Sequence, residues 1–312
     1  MPGVCPISYP MWVQMRKTSV YLPDGLKARL ADVARRTGRS EAQLVRLAVE
    51  RLVASEPAPS PAGLGSRDDP VVARNRPGPA LVGVGVGPGD PGLITTRAVA
   101  ALRAADRVLA PTTSASAVGR AEAIVREAVP EVAVERVVFV MATDGAARAA
   151  ALAAVADRVV ELLDVGERVA FVTLGDPNVY STFSSVAASV RERRPAVPVE
   201  SIPGIMAFQD LAARSGTVLV DGDERLVLVP AHRGDGAAAV GAAAADDRAA
   251  VVVYKGGSRL PELAATLAAA GRLEGAVLGE LLGLPGGRVA RVADVADRPA
   301  TYLATLVVPP VR

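Results

Sequence analysis

The chain has little of what most nucleophilic and metal chemistry uses. Cys5 is its one cysteine and His232 its one histidine in 312 residues, which excludes an internal disulfide, a cysteine-rich metal centre and a zinc cluster. No Ser/His/Asp grouping, phosphate-binding P-loop or metal-ligand spacing occurs. Long apolar runs are missing too. Hydrophobic residues make up 50% of the chain, but charges interrupt them well before the roughly 18 uncharged residues a membrane span needs. The opening MPGVCPISYPMWVQ lacks a charged start, an apolar stretch and a small-residue cleavage site, so a cytoplasmic protein is expected rather than a secreted one.

What is there divides unevenly. Residues 1–55 carry nine Lys/Arg against four Asp/Glu, while the rest carries 26 against 29, so a basic N-terminal part precedes a mildly acidic body. Residues 56–79 are rich in Pro, Gly and Ser without hydrophobic periodicity and read as a flexible linker. Residues 15–55 form a compact pattern. Lys17 to Leu22 alternate as a strand, Pro23-Asp24 opens a helix with Leu26, Leu30, Val33 and Ala34 on one stripe, and Thr37-Gly38 ends it. Ser40 then caps a second helix carrying Leu44, Ala48 and Leu52. One strand and two helices cannot close a core, so a second copy is expected to complete it. Residues 1–14 show no pattern and are expected to be a disordered tail or an over-extended start.

The run KTSVYLPDGLKARLADVARRTGRSEAQLVRLAVERLV resembles the ribbon-helix-helix family. The resemblance implies that strands of two protomers pair and enter duplex DNA, with Lys17, Ser19 and Tyr21 toward the bases. The amides of Ser40 and Glu41, at a helix N-terminus, could hold a phosphate. A dimerisation module without DNA binding is the alternative reading.

After Ala80, strand-like runs (LVGVGV, RVLAP, VERVVFV, RVAFVTL, VPVESI, ERLVLVP, AAVVVY, GAVLG, YLATLVV) alternate with helical stretches. That alternation predicts an α/β protein with largely parallel sheets. Three strand ends are punctuated by Gly and Pro: Gly87-Pro88-Gly89-Asp90-Pro91, Leu174-Gly175-Asp176-Pro177 and Pro203-Gly204. Loops at the carboxyl ends of such strands are where open α/β folds bind ligands. A dinucleotide fingerprint is ruled out by register: from Gly83 and Gly85 the third glycine would fall at Pro88, and from Gly85 and Gly87 at Asp90. Asp176 before Pro177 also suits the N-cap of a following helix. His232 reads as a solvated loop residue rather than a base.

The three junctions, in this order, resemble the tetrapyrrole methylase family over roughly residues 80–310, and LGDPNVYST is most similar to its precorrin-2 carbon-20 methyltransferases. The resemblance implies two α/β lobes, 80–202 and 203–312, with a cleft between them, and a homodimer. It implies S-adenosylmethionine as methyl donor and a tetrapyrrole as substrate, methylated at carbon 20 of precorrin-2 to give precorrin-3A. Cobalt-precorrin-2, another ring position, or a DNA-binding regulator with a methylase-like sensor remain as alternatives. Family donor positions fall on Pro88, Leu174, Gly175, Asp176 and Val179, with Ser181 and Thr182 close by. Met206, Ala207, Ala231 and Lys255 are carried to the same cleft; Met206 stands where the family often has Ser or Thr. Gly89, Asp90 and Tyr180 are expected toward the substrate. Its many carboxylates call for cations, with Arg97, Arg233, Lys255 and Arg259 as candidates. No residue is singled out as acid or base, and no bound metal is expected.

Overall fold

The computed structural model describes residues 24–55, 78–114, 116–139, 145–232 and 234–312, without the side chains of 49–55. Lys17, Ser19, Tyr21 and Arg233, the expected strand, and residues 56–77 of the linker lie outside them. The chain divides into two compact units, 1–76 and 77–312.

In the first unit, helix α1 (Asp24–Thr37) and helix α2 (Glu41–Ser55) are joined by an ion pair between Lys27 and Glu41. Ser40 caps α2: its Oγ accepts from the Gln43 amide at 3.2 Å, and the Gln43 side chain accepts from the Ser40 amide at 3.0 Å. The Ser40 amide expected to meet a phosphate is therefore already used. No residue of α1 is buried, and Leu26 on its apolar stripe is 49% exposed.

The second unit holds two five-stranded sheets. The first comprises β1 (Ala80–Gly85), β2 (Arg107–Thr112), β3 (Val134–Val138), β4 (Arg168–Thr173) and β5 (Val199–Ile202). Its order is β3-β2-β4-β1-β5, and every pairing is parallel. Apolar side chains cover both faces, as a buried parallel sheet requires. Val82, Val84, Ala98, Leu102 and Ile124 form one core. Leu81, Val159, Phe171 and Phe183 form the other. Because β4, β1 and β5 are parallel neighbours, their carboxyl ends deliver the three punctuated loops to one place.

At 203–206 the chain leaves β5 and enters helix α7 (Ala207–Ser215), whose Phe208 and Leu211 pack on the second sheet with Val252 and Val307. Between the sheets' strands lie α3 (Thr96–Ala104), α4 (Arg120–Ala128), α5 (Gly145–Asp164), α6 (Phe183–Arg193), α8 (Gly236–Ala244), α9 (Leu260–Ala269) and the short α10 (Val292–Val295). The second sheet contains β6 (Arg225–Pro230), β7 (Ala249–Tyr254), β8 (Val277–Glu280), β9 (Arg288–Arg291) and β10 (Ala304–Val308), in the order β6-β7-β10-β8-β9. Only β6 and β7 run parallel; the other three pairings are antiparallel. The expectation of largely parallel sheets thus holds for the first sheet and fails for the second, where β10 runs antiparallel to both its neighbours and residues 281–287 between β8 and β9 are too few for a parallel crossover. Arg272, only 5% exposed, ties this half together. Its guanidinium donates to the carbonyls of Ala244, Asp246, Ala249 and Pro309 at 2.6 to 3.0 Å.

Candidate active site

The three loops do more than meet; their backbones interlock. Val86 N–H donates to Thr173 O at 3.0 Å, and Gly175 N–H to Gly87 O at 2.8 Å. A Cβ at Gly204 would lie 2.1 Å from Gly175 O, and one at Gly85 would lie 2.5 Å from the same oxygen. No side chain fits there. Gly175 also takes φ +70°, a left-handed conformation that L residues rarely adopt. Asp176 braces the arrangement: its carboxylate accepts from the Asn178 amide at 2.8 Å and from the Gly204 amide at 3.1 Å.

That brace alters the local helix reading. Asp176 closes a turn onto Asn178 rather than capping a helix. Tyr180 then bends left-handed at φ 49°, and α6 starts only at Phe183. Ser181 anchors the entry, with its Oγ 2.9 Å from Thr173 Oγ1 and accepting from the Phe183 amide at 3.1 Å.

Over this backbone wall lies a cavity of about 260 Å³. Pro88, Leu174, Gly175, Val179, Ser181 and Thr182 line it from the first sheet. Met206 and Ala207 line it from the start of α7, and Tyr180 and Lys255 also face it. Four expected residues do not line it. Ala231 is fully buried in the second sheet's core, and Asp176 is spent on its brace. Gly89 packs so closely on Leu282 that a Cβ would sit 2.0 Å from its carbonyl oxygen. Asp90 accepts from the Gly92 amide at 2.8 Å and faces Arg214 at 3.8 Å. Met206, lacking a hydroxyl, begins its helix through its amide, which donates to the Gln209 side chain at 2.8 Å.

The second sheet supplies side chains that sequence reasoning did not single out as ligand contacts: Tyr254, Leu282, Tyr302, Leu303, Ala304 and Thr305. Tyr180 and Tyr254 meet edge to face at 5.8 Å between ring centroids. The Tyr180 hydroxyl donates to Leu228 O at 3.1 Å. The Tyr254 hydroxyl is buried, and burial holds its pKa above the usual phenol value against an opposing contact with the Phe208 backbone. Lys255 Nζ lies 5.9 Å from the Tyr180 ring centroid. Burial, then the charge of Arg148, lowers the Lys255 pKa. Tyr180, Lys255 and Leu281 are the non-glycine residues with positive φ among the described residues. Two line the cavity and the third adjoins Leu282, so backbone strain gathers here, as it does at functional sites.

Among the described residues, Lys255 is the one expected substrate cation that reaches this cavity. Arg97 is exposed elsewhere. Arg259 is held by Glu262 at 2.7 Å and by the carbonyls of Ala231 and Gly234. His232 is exposed and outside the lining. Among the described residues no group of three or more His, Cys, Asp or Glu could hold a metal ion, and no helix is long and apolar enough to cross a membrane.

Comparison with known proteins gives four likenesses beyond this geometry. The family model of Tetrapyrrole (Corrin/Porphyrin) Methylases matches residues 80–295. A Precorrin-2 C(20)-methyltransferase from Sinorhizobium sp is 35% identical over 238 residues, covering 73% of this chain and 94% of that protein. Uroporphyrin-III C-methyl transferase from Thermus thermophilus, solved in complex with S-adenyl homocysteine, superposes with a TM-score of 0.51 at 21% identity, covering 74% of this chain and 97% of that one. Antitoxin VapB26 from Mycobacterium tuberculosis is 42% identical over 60 residues, which is 19% of this chain and 84% of that protein.

Proposed function

The chain belongs to the tetrapyrrole methylases, and from that premise we propose that it transfers the methyl group of S-adenosylmethionine to carbon 20 of precorrin-2, giving precorrin-3A. One observation carries the reading: three glycine-punctuated strand ends interlock into a backbone wall facing a cavity that reactive side chains close from the other sheet. The residues fit the donor's mixed chemistry. Leu174, Val179, Met206 and Ala207 offer apolar surface for a purine and a methylene chain, while Thr173, Ser181, Thr182 and Thr305 offer hydroxyls. The buried Tyr254 hydroxyl belongs to a lining residue and is a further polar group that a bound molecule would engage.

When bound, the donor supplies a methyl already activated on a sulfonium; the carbon–sulfur bond breaks with its electrons kept by sulfur, and the substrate sheds one proton. The protein's task is then alignment and exclusion of water, which needs no dedicated nucleophile. The rigid backbone wall fixes one partner. The apolar lining keeps water from the reacting carbon. Mixing protein, 13C-methyl donor and precorrin-2 or cobalt-precorrin-2, then locating the label by NMR, tests the reading. Label on a carbon other than 20, or none with either substrate, rejects it. Residues 80–312, as lobes 80–202 and 203–312, are expected to turn over without the linker 56–79 and the N-terminal segment.

A second reading concerns residues 15–55. We infer that the 60-residue antitoxin likeness takes in this segment and extends beyond it, and the unburied apolar stripe of α1 gives a partner copy something to cover. On this reading the segment is a ribbon-helix-helix module that makes the protein a homodimer and contacts duplex DNA through Lys17, Ser19 and Tyr21. Fluorescence anisotropy against DNA fragments, with salt raised stepwise, is the test: affinity should fall steeply through counterion release. A dimer that binds no better than a scrambled basic peptide serves assembly alone.

A further inference from the structure

Beside the donor cavity lies a larger one of about 400 Å³, with Thr182, Tyr302 and Leu303 lining both. Its walls are mostly apolar: Pro111, Val118, Phe139 and Tyr302 face it, and Val118 and Tyr302 are 53% and 56% exposed. Arg120, the first residue of α4, stands in the same lining. Its neighbours on that side of the sheet are paired. Arg126 and Arg136 both hold Glu122, each at 2.7 Å. Arg120 has no ion pair or hydrogen bond among the described residues. The residue as a whole is exposed, and what burial its guanidinium has lowers its pKa, with no carboxylate acting against that shift.

We propose that Arg120 anchors a carboxylate of the tetrapyrrole, holding the macrocycle against the apolar wall of the larger cavity with its reacting edge toward Thr182 and Tyr302. The chemistry of the two parts matches. A reduced tetrapyrrole is a broad apolar ring with a fringe of carboxylates, and this cavity offers broad apolar surface with one unneutralised guanidinium in its wall. Planar guanidinium groups suit carboxylates because they can donate two parallel hydrogen bonds. Thr182, Tyr302 and Leu303, shared by both cavities, mark where ring and methyl donor would approach. Arg120 is a positioning residue: it lines the larger cavity and not the smaller one. This inference rests on the methyl-transfer reading for the identity of its ligand.

The test uses the full chain and a probe that needs no turnover. Uroporphyrin, a carboxylate-fringed porphyrin, is titrated by fluorescence quenching into wild type, Arg120→Ala and Arg120→Lys, with donor affinity measured by calorimetry in parallel. Arg120→Ala is expected to weaken uroporphyrin about tenfold, the lower end of what losing a charge-assisted hydrogen bond does. It should raise KM for precorrin-2 by a similar factor while kcat and donor affinity stay near wild type. Arg120→Lys should recover part of the loss. A folded Arg120→Ala that binds uroporphyrin like wild type overturns the anchor, and so does a loss that tracks donor affinity. Should wild type fail to methylate precorrin-2 yet bind uroporphyrin in an Arg120-dependent way, the reaction falls and the anchor stands. Should methylation proceed with an indifferent Arg120→Ala, the reaction stands and the anchor falls.

Discussion

The cavity's two walls are built in opposite ways. From the first sheet comes backbone: Gly85, Gly175 and Gly204 approach so closely that a single added carbon at Gly85 or Gly204 has no room, and Asp176 locks two of the three loops. From the second sheet come side chains, among them Tyr254, Lys255, Tyr302 and Thr305, on a backbone that is strained at Lys255 and Leu281. The contrast teaches where change is tolerated. A wall made of backbone fails as a unit, whereas a wall made of side chains can be altered one group at a time.

Four substitutions would break or sharpen that contrast. Gly204→Ala should have the largest effect, a loss of donor affinity of about a hundredfold or more by calorimetry, together with destabilisation of about 1–3 kcal/mol from overpacking; near-normal affinity would show that the loops yield. Asp176→Ala comes next. It removes a carboxylate that accepts from two backbone amides without touching the cavity, so donor affinity should drop about tenfold through loosened loops, in line with about 1.5–3 kcal/mol for charged hydrogen bonds. Equal affinity in variant and wild type would refute the brace.

Glu122→Gln probes the first sheet away from the cavity. The Arg136 hydrogen bond holds the Glu122 carboxyl below its ordinary value of 4.5, against the opposing effect of burial. A carboxyl lowered on folding contributes stability above its unfolded pKa and loses it as pH falls through the folded value. Denaturant midpoints should therefore decline below about pH 4.5 in wild type, and Glu122→Gln should flatten that decline; parallel curves would exclude this carboxylate as a source. Tyr254→Phe should be the mildest. Its hydroxyl meets only the Phe208 backbone, without good hydrogen-bond geometry, so the unfolding midpoint should change little, and ligand affinity should fall by a few-fold. A lower midpoint would mean that the hydroxyl is structural.

Legibility followed the same division. All nine strand-like runs beyond Ala80 became strands, because short β-branched runs between Gly and Pro leave few options. The tenth, β9, was missed: Arg288–Arg291 reads RVAR, an exposed edge pattern without an apolar run. Antiparallel pairing in the second sheet was also illegible, since alternation marks a strand but not its neighbour. The backbone wall could be read because glycine and proline announce unusual backbone directly. The facing wall could not. Leu282, Tyr302 and Thr305 are ordinary residues in sequence, more than 75 positions beyond Met206, and only the packing of the second sheet brings them to it. Arg120 was overlooked for a related reason, because the lack of a partner is a property of surroundings rather than of residue type.

The place of β10 has a consequence for how the protein is made. Residues 304–308 form the middle strand of the second sheet, bonded to β7 on one side and to β8 on the other. The first sheet has all its strands once residue 202 has been synthesised, and at about 5–20 residues per second its folding can start seconds before the remainder exists. The second sheet has no such head start. Until 304–308 leave the ribosome, β6 with β7 and β8 with β9 are separate pairs with open edges, which is the state in which unpaired strands capture foreign partners. Chaperone demand during synthesis should accordingly peak while residues 225–308 are being made, after one wall of the cavity is already in place.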